Sequence, residues 1–126
     1  MPVSGLPPYD AENIFARILR GEIPCRKVFE NDFALAFHDI HPQTPIHVLV
    51  IPKGAYCSFA DFSATAGEAE IAGFFRVVGA IAKDLGLEAM GYRLLTNTGE
   101  DARQEVSHFH VHLFGGRPLG RMIPAG

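Results

Sequence analysis

The chain of 126 residues has no tryptophan and only two cysteines, Cys25 and Cys57. They stand far apart and form no C-x-x-C pair, so two reduced thiols are expected rather than a disulfide framework. No apolar run approaches the roughly 18 residues of a membrane-spanning helix. Excess positive charge is also missing: 11 Lys and Arg against 14 Asp and Glu give a formal net charge of −3. That leaves no electrostatic footprint for nucleic acid and no attraction to an anionic membrane. The start, Met1-Pro2-Val3-Ser4-Gly5-Leu6-Pro7-Pro8, lacks the charged end and apolar stretch of a secretory signal. The expected location is therefore cytoplasmic. There is no internal repeat and no second domain. A single domain of this length buries roughly two-thirds of its unfolded surface, so it needs no metal or disulfide staple.

What the chain does have is histidine, six in all. Three occur at alternate positions in Gln104-Glu105-Val106-Ser107-His108-Phe109-His110-Val111-His112-Leu113-Phe114-Gly115-Gly116-Arg117. A β-strand sends successive side chains to opposite faces. On a strand His108, His110 and His112 share one face, and Phe109, Val111 and Leu113 take the other. A helix would scatter the three around its axis. The β-branched and aromatic content and the stop at Gly115-Gly116 also favour a strand.

The rest of the chain sets the frame. A flexible Pro/Gly-rich arm is expected over residues 1–10, one domain over 11–118, and a C-terminal tail over 119–126. Asp10 is placed to cap a helix over residues 11–20, with Ile14, Phe15, Ile18 and Leu19 as its apolar stripe and Gly21 as its end. Strands follow over 25–30 and 33–40, joined by Asn31-Asp32 as a hairpin. Residues 46–51 are nearly all apolar and suit a central strand covered on both faces. Residues 55–64 read as irregular. Ser63 or Thr65, the latter with Glu68, is placed to cap a long helix reaching Leu85. Gly73 and Gly79 weaken its middle, and such small residues suit close packing against another subunit. A strand over 92–96 and a turn over 97–101 lead into the histidine strand. Tight turns between strands favour an α+β domain with a mostly antiparallel sheet and helices on one side.

Two chemistries fit the histidine row. Imidazoles bind zinc, copper or nickel, but side chains two apart on one strand are nearly collinear, and no cysteine or acidic residue stands next to them. Alternatively, a neutral histidine is a competent nucleophile toward phosphorus, and a protonated neighbour can donate to a phosphate oxygen. The turn before the strand can aim polar groups and N–H groups at the same place. Asp39 suits sugar hydroxyls as an acceptor, and equally suits a strand-end turn. His47, alone in an apolar strand, fits a hydrogen-bonded core position. Spacing leaves metal and phosphorus chemistry both open, with geometry against the metal.

The run His108-Phe109-His110-Val111-His112-Leu113-Phe114 resembles the motif of the histidine triad (HIT) superfamily. Asn13-Ile14-Phe15, Gly21-Glu22-Ile23-Pro24, the stretch from Phe37 through His47 to Lys53, Asn97-Thr98-Gly99, Gln104-Glu105-Val106 and Gly115-Gly116-Arg117 resemble its HINT branch. The likeness spans about residues 12–118. It implies a five-stranded, mostly antiparallel sheet with two helices. It also implies a homodimer that joins two sheets into ten strands, with the long helix and the 92–96 strand at the interface. The implied activity is hydrolysis of the P–N bond of purine nucleoside 5′-phosphoramidates through a nucleotidyl-histidine. His110 would be the nucleophile and His112 would hold a phosphate oxygen, while His108 and His47 would fix orientation and tautomer. Asp39 would take the ribose, and Asn97, Gln104 and Glu105 the phosphate and leaving-group side. Phe15, Ile18, Ile23, Phe37 and Ile40 would wall the base, although ordinary core serves as well for any one of them. No cofactor and no metal are implied. The alternatives are a dinucleoside polyphosphate hydrolase and a non-catalytic nucleotide- or metal-binding module.

The chain departs from the branch at several points. Arg103 stands where glycine is usual, and Ser107 where an aromatic is common. The paired cysteines of some bacterial zinc-binding relatives are missing, as is a tail ending in tryptophan.

Overall fold

The computed structural model describes residues 1–124. Its first helix, α1 (Ile14–Leu19), is capped by Asn13 rather than Asp10: Asn13 Oδ1 accepts the Ala16 N–H at 2.8 Å. Asp10 instead closes the preceding turn by accepting the Glu12 N–H at 2.9 Å. Either carboxyl or amide can satisfy an orphan helix donor, and the residue nearest the first apolar turn takes the position. Strands β1 (Lys27–Glu30) and β2 (Ala34–His38) form the expected hairpin, shortened at its ends. Asn31 Oδ1 closes the turn by accepting from the Phe33 and Ala34 N–H groups at 2.8 and 3.1 Å. Strand β3 (Ile46–Pro52) follows and is buried from His47 onward.

Residues 55–64, read as irregular from sequence, contain a short helix, α2 (Phe59–Thr65). Ser58 and Asp61 make its capping box: Ser58 Oγ accepts from Ala60 N–H at 3.2 Å, and Asp61 Oδ1 from Ser58 N–H at 2.8 Å. The long helix α3 (Glu68–Asp84) therefore starts after Gly67, whose N–H donates to the Glu70 carboxylate at 3.3 Å. Thr65, expected as its cap, donates to the Asp61 carbonyl inside α2 instead. Strands β4 (Arg93–Leu95) and β5 (Val111–Gly115) complete the fold. No helix among the described residues is long and apolar enough to cross a membrane.

The five strands form one sheet in the order β1-β2-β3-β5-β4, each neighbouring pair antiparallel. Only His112 lies within the hydrogen-bonded part of β5; His108 and His110 occupy its lead-in. The alternation still holds there, because Phe109, Val111 and Leu113 all enter one core. That core joins Ala34, Ala36, Val48 and Val50 to Phe62 of α2 and to Phe74, Val78 and Ile81 of α3. A second core on the opposite face joins Leu35, Phe37, Leu49 and Ile51 to Phe15 of α1. The helices thus cover both faces of the sheet, not one. Strands β2 and β3 are apolar on both sides, so each face has to be covered.

Gly73 also has a different job from the one expected. A β-carbon there would lie 2.5 Å from the Phe33 ring of the same chain, so the close packing is internal. Gly73→Ala is expected to lose about 1–3 kcal/mol by overpacking, although alanine is the better helix former. Phe33→Ala in the same chain should recover part of that loss. Urea unfolding checks both; a Gly73→Ala protein as stable as the parent contradicts the packing argument.

Candidate active site

A cavity of about 790 Å³ opens on the α1 face of the sheet. Ten of the residues singled out from sequence line it. Phe15, Ile18, Ile23, Phe37 and Ile40 make an apolar wall, and Asp39, Asn97, Glu105, His110 and His112 supply polar groups. Register explains the convergence. Phe37 pairs with Leu49, Leu49 with His112, and His112 with Leu95, so these four form one row across the sheet and share a face. Helix α1 closes that face from above, with the Phe15 ring edge-on to His110 at a centroid distance of 5.0 Å.

The hydrogen bonds assign every proton on the imidazoles. Pro52 O can only accept, so His108 Nε2, 3.0 Å away, carries its proton. His108 O can only accept, so His110 Nδ1 at 2.7 Å carries one too, leaving a lone pair on His110 Nε2. The Gln43 N–H donates to His47 Nδ1 at 3.2 Å, so the His47 proton sits on Nε2. It points to His112 Nδ1 at 2.9 Å, which places the His112 proton on Nε2. Among the described residues no buried side-chain N or O lacks a partner, so the free Nε2 atoms of His110 and His112 are open to the cavity. One imidazole thus offers a lone pair and its neighbour a donor, with ring centroids 5.2 Å apart.

Three expected residues do not line the cavity. His108 is sealed behind His110, and His47 lies behind His112 with only 2% of its surface exposed. Gln104, expected beside the phosphate, is buried as a brace. Its Nε2 donates to Cys57 O and Val106 O at 2.8 and 2.9 Å, and its Oε1 accepts from Gly99 N–H at 2.9 Å. Three backbone groups take both of its N–H donors and one of the two acceptor sites on Oε1. Asp39 and His47 also change the metal argument. Asp39, His47 and His112 each present a ligand atom within 4.8 Å of the others, an acidic partner that the histidine strand alone does not have. Cross-strand pairing brings that set together, and sequence adjacency could not reveal it.

The sequence reading missed Leu49, Cys25 and Val106 as lining residues. Leu49 carried a signal, being two residues beyond His47 on the same strand face. Arg103 lines the cavity as well, in the left-handed region at φ 62°. A non-glycine residue there costs about 1–2 kcal/mol, which is the physical content of the glycine usual at that position.

Comparison with known proteins finds relatives over most of the chain. The HIT domain matches residues 20–119 of the chain. A 13.2 kDa HIT-like protein of Azospirillum brasilense is 64% identical over 118 residues, 94% of this chain and 97% of its own length. The purine nucleoside phosphoramidase of Escherichia coli K12 is 44% identical over 112 residues, 89% of this chain and 93% of its own. Among solved structures, a histidine triad protein from Clostridium difficile superposes with a TM-score of 0.82 at 38% identity, covering 90% of this chain and 98% of that one.

Burial controls how the imidazoles titrate. It pushes His108 and His112 down to about 4, helped by the neighbouring His110, and it lowers His110 and His47 as well. Asp39 opposes the shift at His47, His110 and His112 without cancelling it. All four are neutral near pH 7. Unfolding returns them to about 6.5, so between about pH 6.5 and 4 the unfolded chain binds more protons than the folded one. Stability present above the unfolded value is therefore lost as pH falls through the folded value. Unfolding near pH 5 is expected to take up about two protons or more, and the urea midpoint to fall between about pH 7 and 4.5. Denaturation across a pH series reads this directly, and a flat midpoint contradicts the assignment of neutral imidazoles.

Proposed function

The chain belongs to the HIT domain family, and on that premise we propose that it is a hydrolase of the P–N bond of purine nucleoside 5′-phosphoramidates. One observation carries the reading: the lone pair on His110 Nε2 and the proton on His112 Nε2 both face a cavity lined by apolar and polar side chains together.

In this mechanism His110 Nε2 attacks the α-phosphorus. A bond forms from Nε2 to phosphorus as the bond from phosphorus to the amine nitrogen breaks. The amine leaves with a proton from solvent. Water then attacks the phosphorus and gives up a proton, the bond to Nε2 breaks, and the nucleoside monophosphate departs. His112 Nε2–H donates to a non-bridging phosphate oxygen throughout. His108 and His47 act from behind, holding the two rings in the tautomers the step requires. Asp39 accepts from the ribose hydroxyls. Phe15, Ile18, Ile23, Phe37 and Ile40 take the base, and Asn97 and Glu105 face the leaving amine, with Gln104 bracing their loop. Positioning of this kind supplies much of the rate in phosphoryl transfer.

The same nucleophile could open a phosphoanhydride. The 44% identity to a protein whose activity is on phosphoramidates favours the P–N bond. A homodimer belongs to the proposal. Strand β4 is a free edge of the sheet, and its Leu94 is 47% exposed. A free edge beside apolar surface suits pairing with a second copy.

Purified protein is expected to hydrolyse adenosine 5′-phosphoramidate, and His110→Ala to lose at least about a hundredfold in kcat. Mass spectrometry of protein quenched during turnover should find the nucleotidyl group on His110. Equal activity in the variant sinks the role given to His110. Sedimentation velocity should show a dimer, and Leu94→Asp a monomer; a monomeric parent protein removes the dimer from the proposal.

A further inference from the structure

The N-terminal segment, expected to be a loose arm, runs against the body as a strap. The Val3 N–H donates to Gln104 O at 2.8 Å, and Ser58 Oγ donates to Gly5 O at 2.7 Å. Gly5 is buried at φ 72°, and a β-carbon there would lie 2.6 Å from Gln104 Oε1 and 3.1 Å from the Gly99 nitrogen. Only glycine lets the strap press this closely on the turn that leads into the histidine row. The strap ends at Tyr9, whose hydroxyl lies 2.6 Å from His108 Nδ1.

We propose that Tyr9 is a positioning residue for the reaction at His110, acting through His108. This rests on the reading of His110 as nucleophile. The His108 ring is fully buried, so both of its nitrogens need partners. With its proton committed to Pro52 O, Nδ1 can only accept, and the Tyr9 hydroxyl is the donor that meets it. The phenol also packs edge-on against the ring at a centroid distance of 5.7 Å. The backbone of His108 in turn supplies the carbonyl that holds the His110 Nδ1 proton. A shift of His108 therefore moves the ring that carries the lone pair. Tyr9 is not among the residues that line the cavity, so its route to the reaction runs through His108.

The titratable groups facing the His108 ring are Tyr9 from the strap, His110 from its own segment and Asp61 from α2; the carbonyl of Pro52 from β3 and the Phe15 ring from α1 complete its surroundings. Donation by Tyr9 to the neutral ring disfavours the charged form. Its loss makes Nδ1 easier to protonate, so a cation beside the nucleophile forms at a higher pH than in the parent protein.

The test is Tyr9→Phe in the full chain, read three ways. On adenosine 5′-phosphoramidate kcat is expected to fall about tenfold or more with KM within about twofold. The acid limb of the kcat profile should move to higher pH. Long-range 1H–15N spectra should show His108 as the Nε2–H tautomer in the parent protein and altered ring-nitrogen shifts in the variant. In a His108→Asn background Tyr9→Phe should have little further effect on kcat, as coupling through one residue requires. Unchanged His108 signals, or unchanged kcat, overturn the proposal. Should the parent protein not cleave the phosphoramidate, it is the functional reading that fails. The nitrogen spectra then decide alone: altered His108 shifts keep Tyr9 as the clamp of that ring, and unaltered shifts remove it.

Discussion

A backbone carbonyl can only accept a hydrogen bond, and a backbone amide can only donate one. Three such groups, Pro52 O, His108 O and Gln43 N–H, set the proton on every imidazole of the site. An exposed histidine row would exchange tautomers freely and lie partly charged near neutral pH. Here burial keeps the rings neutral and the backbone keeps each neutral ring in one form. The site's chemical asymmetry, a lone pair on one imidazole and a donor on the next, follows from these fixed partners. The side chains alone are identical.

That arrangement needs a rigid sheet beneath it. Strands β3 and β5 lie at or next to the middle of the sheet, and both faces of β3 are buried. Each apolar side chain buried there contributes about 1.5–3 kcal/mol, so the strand that carries His47 is held far more firmly than one hydrogen bond could hold it. Buried polar residues are tolerated only because all are paired. Gln104 is the clearest case: it is 1% exposed, yet its amide joins three backbone groups from three segments. It shapes the loop from behind, which is as strong a reason for a glutamine there as direct contact with a ligand.

The alternating run from His108 to Leu113 displays its two faces in residue order alone, because a period of two survives even where the strand's hydrogen bonds do not start until Val111. The antiparallel α+β class was legible from the tight turns between strands, and the apolar wall around Phe15 and Phe37 only through the family resemblance. Boundaries were not. Asn13 displaced Asp10 as a cap, and Ser58 with Asp61 began a helix where the composition read as irregular, since neighbouring residues offer nearly equal capping chemistry and only packing chooses between them. The placement of helices on both faces was implicit in the doubly apolar β3, yet the pattern of α1 could not say which face it would take.

By itself the sequence determined the alternation, the family motif and the set of residues able to do phosphorus chemistry, because these depend on residue type and local spacing. Only the tertiary structure decided which nitrogen of each imidazole in the row carries the proton, a matter on which the family resemblance is silent. His108 faces Pro52 and Tyr9, while His112 faces His47 and the cavity. Those partners lie up to 99 residues away along the chain. No local pattern encodes which carbonyl or hydroxyl will meet a given nitrogen, and that meeting is what leaves one imidazole of the row with a lone pair facing the cavity and another with both nitrogens engaged behind it.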